Sequence, residues 1–253
     1  MRNKGKAPFR EKDKLIEDIR GFLNMHSALF YDHASRISDY FEMTCYNDIV
    51  RYYSDRKFTT IPKQLDKDGN FIYKLTSAGL PENFSYFELC YTTEERNYEF
   101  EVHHNLSCES AHCEMIYYSP DVSVILKDSI KVIAGKSSLY EGGRRFAYVS
   151  ASDVQTILEA KNMNPFPELL FSFQGLVIEV MPEVMNYDEK LIRPTHIAPT
   201  LALSGRGNIH TNRISNSLCE RYAINIVDRL FYVTSGIYSR KYSKNRITTK
   251  KKP

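Results

Sequence analysis

Eight residues, Val154–Lys161 (VQTILEAK), constrain this chain more than any other stretch. A run this rich in β-branched and apolar residues reads as a buried strand. Its end breaks the pattern by placing a carboxylate and an ammonium two positions apart. Residues two apart in a strand share a face, so Glu159 and Lys161 project together while Leu158 and Ala160 project to the other side. Burying either charge alone is costly, so the strand must end against an opposite charge or a metal. A second apolar stretch, Met115–Leu126, is interrupted by Pro120-Asp121. With Asp121 on a strand beside Glu159, the two carboxylates repel and raise each other's pKa. A divalent cation between them removes the conflict, and oxygen-only ligands select a hard ion, Mg2+ or Mn2+. The Ala160 carbonyl, between the two side chains, is a further candidate ligand. Lys161 beside such an ion could orient or deprotonate a water, or neutralise charge on phosphorus, which is the chemistry of phosphodiester hydrolysis.

The pattern around these pieces is mixed. Apolar residues recur at three- and four-residue steps from about Lys12 to Arg56, which predicts two or three helices, with Tyr40, Tyr46, Tyr52 and Tyr53 as packing residues. Lys57–Ile61 and Phe71–Leu75 read as strands around an Asp68-Gly69 turn, and Tyr86–Tyr91 and Tyr98–Asn105 as a second strand pair. Pro165 and Pro167 open a helical stretch reaching Val180. HIAPTLALS, 196–204, reads as a strand, and Asn216 to about Val233 as a final helix capped by Ser215 or Asn216. The domains read as a basic arm and helical region over 1–56, an α/β domain over 57–239, and a basic tail over 240–253.

Composition narrows the class. Of 253 residues, 42% are hydrophobic and 26% charged, which excludes collagen, rods and wholesale disorder. No apolar run is long enough to span a membrane. The formal charge of +3 hides an asymmetry: without residues 1–14 and 240–253 the body holds 21 basic and 29 acidic residues. Basic ends on an acidic body suit a polyanionic partner. Five cysteines and no apolar stretch behind the basic start imply a reduced, cytoplasmic setting, in which the sequons at Asn83 and Asn105 carry no meaning. Cys108, His112 and Cys113 lack the paired spacing of a zinc site.

In order, these elements resemble the PD-(D/E)xK, or restriction-endonuclease-like, nuclease superfamily. The resemblance rests on SPDVSVI at 119–125 and TILEAKNM at 156–163, and covers roughly residues 98–235. It implies an α/β (α+β) fold with a mixed sheet flanked by helices, beside the helical N-terminal region. It implies a Mg2+-dependent endonuclease acting on DNA or, by the same chemistry, RNA, in restriction, defence or mobile-element biology. Asp121 and Glu159 would bind metal and Lys161 would be the catalytic lysine. Members commonly add an acid from a preceding helix or strand, for which Glu101 is the candidate and Glu99 and Glu109 are rivals. Gln174, on the next helix, would brace the site, and His103 shares the polar face with Glu101. Asp121 and Glu159 are 38 positions apart, so residues 127–153 must hold an extra excursion; Asp153 is the alternative first acid. Arg206 and Arg213 in SGRGNIHTNR, with Arg144 and Arg145, are the candidate phosphate-backbone contacts. A homodimer or a partner subunit fits equally. The alternative function is a catalytically inactive nucleic-acid-binding or protein-interaction subunit on the same fold.

Overall fold

The computed structural model describes residues 12–94, 97–133, 145–185 and 196–230, and the backbone of 236–239. The expectations about the two basic tails and about Arg144 lie outside the described residues. Helix α1 (Lys12–Met25) carries one apolar stripe, Leu15, Ile19, Phe22 and Leu23, all buried. Helix α2 (Ile37–Ser54) starts where the Asp39 carboxylate accepts the backbone N–H groups of Ser35 and Arg36 (3.1 and 2.9 Å). Such a cap satisfies donors that the first helical turn leaves unpaired. The tyrosines of α2 pack as the spacing predicts, with Tyr40, Tyr46 and Tyr53 fully buried. Their hydroxyls find partners: Tyr46 donates to the Val102 carbonyl at 2.7 Å, and Tyr53 lies 2.8 Å from His196 Nδ1.

The fold is mixed α/β. The main sheet has eight strands: β2 (Thr59–Lys63), β4 (Tyr86–Thr92), β5 (Asn97–His104), β8 (Val122–Leu126), β11 (Val154–Lys161), β12 (Thr200–Leu203), β13 (Asn225–Asp228) and β14 (Gly236–Ser239), which lie in that spatial order. Neighbours from β2 to β11 are antiparallel, β11, β12 and β13 are parallel, and β14 is antiparallel. Parallel neighbours need crossovers, supplied by helix α3 (Pro167–Val180) between β11 and β12 and helix α4 (Ile209–Arg221) between β12 and β13. One face of the sheet packs on α1 and α2, with Phe87, Phe100, Val102, Val122, Val124, Leu158 and Ala160 in that core. The opposite face packs on α3 and α4 through Ile125, Ile157, Leu201 and Ile226. The N-terminal helices therefore share a core with the sheet.

Between β8 and β11 lies the expected excursion, which holds β9 (Lys131–Ile133) and β10 (Phe146–Val149). With β6 (Ser107–Glu109) and β7 (Tyr117–Tyr118), which come between β5 and β8, they form a second sheet in the order β7-β6-β10-β9. Two expectations are corrected. Residues 57–75 do not make a hairpin: β2 pairs with β4, and the short β3 (Asn70–Phe71) pairs in parallel with β1 (Leu29–Phe30). The Asp66 carboxylate closes the intervening turn locally, accepting the backbone N–H groups of Asp68 and Asn70 at 2.8 Å each. The last helix runs over 209–221, not 216–233; Asn208 caps it by accepting the Thr211 N–H at 3.0 Å.

Because α1 seals the same core as the central strands, Leu23→Ala should lower the unfolding free energy by about 2–5 kcal/mol. A urea melt followed by circular dichroism should still show one transition; a separate early loss of helix would show α1 to be an independent unit.

Candidate active site

Register brings the two singled-out pieces together. In β11 and β8 the last paired residues are Leu158 and Val122, so Asp121 lies just beyond the end of the ladder, beside Glu159 and Ala160. The Ala160 backbone N–H donates to Asp121 Oδ2 at 2.7 Å. Lys161 Nζ donates to the same oxygen at 3.1 Å and lies 2.5 Å from Glu159 Oε1. One ammonium touching both acids places Asp121, Glu159 and Lys161 on one side of the sheet. N–H and C=O of a strand residue point to the same edge, so the Ala160 carbonyl also faces the Asp121 side.

Glu42, on α2, lies in the field of the same charges. The Glu42 carboxyl is pushed up to about 8, first by burial and then by the negative charge of Asp121, with Asp39 and Glu159 adding and Lys161 opposing. Glu159 is raised to about 7 by burial and by Asp121, and Asp121 is raised by burial against the pull of Lys161 and the Ala160 N–H. Burial alone would lower Lys161, but Asp121 and Glu159 outweigh it and hold the side chain as an ammonium. Glu159 Oε2 is buried with no hydrogen-bond partner among the described residues. Behind Glu42 lies His104, whose Nε2 is 3.9 Å from Glu42 Oε2, too far for a hydrogen bond. Burial lowers its pKa to about 3, so the ring is neutral.

Glu101 does not join this group. It pairs across β5 and β8 with Ile125, four residues from Asp121, or roughly 13 Å of strand. Its carboxylate holds His103 Nε2 at 2.8 Å and accepts the Asp128 N–H at 3.3 Å. His103 is thereby turned toward Glu101 and stacked on Tyr86. Glu99 pairs with Lys127, and Glu109 accepts the Met115 N–H. Asp153 sits at the opposite end of β11, in the turn before the strand. Gln174 donates to the Tyr222 hydroxyl at 3.4 Å, at the C-terminal end of α4, and so does not brace the acids. Arg145 pairs with Glu82 across the surface.

Glu42 was not singled out from the sequence, because one acid inside an amphipathic helix looks like an ordinary surface residue. The available signal was its neighbours: Phe41, Met43, Cys45 and Tyr46 are all buried, so the helix has almost no solvent face there.

The rim beyond β12 is built by close backbone approach. Gly205 N–H bonds the Met163 carbonyl at 3.0 Å, Arg206 N–H bonds Asn164 Oδ1 at 3.0 Å, and the Ser204 hydroxyl bonds Asn162 Oδ1 at 2.8 Å. A Cβ on Gly205 would lie 2.5 Å from the Asn164 Cα. Arg206 is exposed in this loop and Arg213 is exposed on α4, so the expected loop over 205–213 ends at Asn208, where the helix is capped.

Among the described residues, the cluster of three metal-ligating side chains whose ligand atoms all lie within 4.8 Å of one another is Glu88, Cys90 and Glu99, and Glu42, Asp121 and Glu159 do not form such a cluster. Lys127 already bridges the Glu88 and Glu99 carboxylates at 3.1 and 3.0 Å. Comparison with protein-family models, with curated proteins and with solved structures finds no match for the chain.

Two predictions follow from the acids and the rim. A carboxyl whose folded pKa exceeds its unfolded value binds more protons in the native state, so stability falls as pH rises through that window. With Glu159 at about 7 and Glu42 at about 8, metal-free protein should lose stability from about pH 4.5 to about pH 8. Urea midpoints across that range should show the fall, and Glu42→Gln should flatten it. Gly205→Ala should cost about 1–3 kcal/mol by overpacking against Asn164, read as a lowered melting temperature.

Proposed function

We propose that this chain is a metal-dependent nuclease that hydrolyses phosphodiester bonds, with DNA as its substrate, on a restriction-endonuclease-like core. The observation that carries the reading is the convergence of Asp121, Glu159 and Lys161 at the end of one strand pair, with Glu159 Oε2 buried and unpaired among the described residues. The order β5, β8, β11, α3, β12 supports the fold assignment, because it sets a Pro-Asp strand antiparallel to a Glu-x-Lys strand and follows it with a crossover helix to a parallel strand.

The donor set fits a hard divalent cation such as Mg2+ or Mn2+. Its acids offer only oxygen, and one buried carboxylate oxygen lacks a partner among the described residues. Asp121 and Glu159 would hold the ion, with the Ala160 carbonyl, and Glu42 on α2 would add to the negative field around it. When bound, such a cation polarises a phosphate oxygen and acidifies a water. Asp121 is oriented for that role by the Ala160 N–H, which fixes Oδ2. The ammonium of Lys161, held between two carboxylates, is placed to orient the attacking water and to offset charge developing on phosphorus. Around the site, α3 and α4 both begin where β11 and β12 end, so the positive ends of two helix dipoles lie at this rim with Arg206. Arg206, Arg213 and the basic ends of the chain would contact phosphates away from the reacting bond.

Plasmid, linear and single-stranded DNA and RNA incubated with Mg2+, Mn2+ or EDTA test the reading. Wild type should cut at least one polymer only with metal. Lys161→Ala, Glu159→Gln and Glu42→Gln should each slow cleavage by about a hundredfold or more while keeping their folds. Metal-independent cutting, or a wild-type rate for Lys161→Ala, would remove these groups from the mechanism.

A further inference from the structure

A cleft of about 570 Å³ opens at the same end of the sheet as the acids, between residues 77–81 and the smaller sheet. The connection is direct. At the end of β5, the Asn105 N–H bonds the Asp121 carbonyl at 2.9 Å, and the chain then runs through Leu106 and Ser107 into the cleft wall. Ser119, two residues before Asp121, also lines the cleft, and its hydroxyl meets that of Ser107 at 2.9 Å. The volume is that of a small-molecule site, roughly 300–1,000 Å³.

Its lining has a definite chemistry. Lys74 is 4% exposed, and its Nζ donates to the carbonyls of Thr76, Ser77 and Asn105 at 2.9, 3.0 and 2.6 Å. Among the described residues no carboxylate pairs with it; burial lowers its pKa to about 8, so below that pH this wall carries a positive charge held by three carbonyls and no counter-ion. A cation in that state favours an anion nearby. Tyr117 and Phe146, 4.8 Å apart by ring centroid, supply aromatic surface. Gly79 lets the facing loop close, since at φ +88° a Cβ would meet the Phe84 ring at 2.9 Å.

We propose that this cleft is a nucleotide subsite, taking one unpaired nucleotide of the substrate strand next to the site of cleavage proposed at Asp121, Glu159 and Lys161. The base packs on Tyr117 and Phe146, and its phosphate lies in the field of Lys74. The inference rests on the nuclease reading and deepens it: a base in a duplex cannot enter a cleft without leaving the stack, so the substrate is single-stranded or frayed nucleic acid.

Binding without metal tests the subsite apart from catalysis. Full-length protein in EDTA is titrated into fluorescein-labelled oligothymidylate and into a duplex of the same length. The single strand should bind about tenfold tighter or more. Ala147→Trp, which fills the cleft, and Tyr117→Ala, which removes a stacking ring, should each weaken single-strand binding by about tenfold, at unchanged circular dichroism and unchanged duplex binding. Photo-cross-links from 5-iodouridine oligonucleotides should map to residues 115–119 or 145–147. Variants that bind the single strand like wild type, or cross-links that all fall elsewhere, overturn the subsite. Cleavage with metal but no cleft cross-link overturns it while leaving the nuclease reading intact. Cleft cross-links without cleavage support the subsite and count against the nuclease reading.

Discussion

The arrangement depends on one carboxylate oxygen. Asp121 Oδ2 accepts the Ala160 backbone N–H and the Lys161 ammonium together, and so ties the start of β8 to the end of β11. The register below it is fixed by ordinary strand pairing, and Asp121 converts the last open position of that ladder into a charged junction. A buried ion pair is weak support for stability, since desolvation offsets most of its attraction. Here the imbalance is larger than a pair, because Glu159 and Glu42 are also drawn into the same buried field with one ammonium to share. A fold that needed only a lock at this point would be better served by apolar contacts. Departures of this kind, in which local cost has no local return, concentrate at functional sites.

The layers explain how groups from distant parts of the chain come to share one electrostatic field. Helices α1 and α2 cover one face of the sheet and α3 and α4 the other, so the sheet's end is reached from both sides. Strand β11 supplies Glu159 and Lys161, the approach to β8 supplies Asp121, and α2 brings Glu42 over the edge. The loop after β12 flanks the acids on one side, built so closely that Gly205 has no room for a side chain. The cleft beside Ser119 flanks them on the other.

Much of the central sheet was legible because its signals are local. The alternation in VQTILEAK fixes which residues share a face, and Pro120-Asp121 marks where the neighbouring ladder must stop. The pairing of Tyr86–Tyr91 with Tyr98–Asn105 was equally plain from one turn between two strand runs. What sequence could not supply were choices made across distance. Residues 59–63 had a turn and a strand-like run beside them, yet they pair with β4 at the edge of the larger sheet. The helix expected over 216–233 followed a four-residue spacing through Tyr222, Ile226 and Leu230. In the structure Asn208 starts the helix early, and Asn225–Asp228 enters the sheet as β13 instead. Glu101 was the candidate third acid because the resemblance implies an acid from an element before the Pro-Asp strand; its position along the strand, set by register, took it away from Asp121. Glu42 was hidden for the converse reason, since its role is created by tertiary burial and by charges far away in the chain.

The most direct measurement is anomalous diffraction from crystals of the protein soaked in Mn2+. The account predicts a peak at coordinating distance from both the Asp121 and the Glu159 carboxylates, on the Glu42 side. A peak confined to Glu88, Cys90 and Glu99, with none between Asp121 and Glu159, would contradict it.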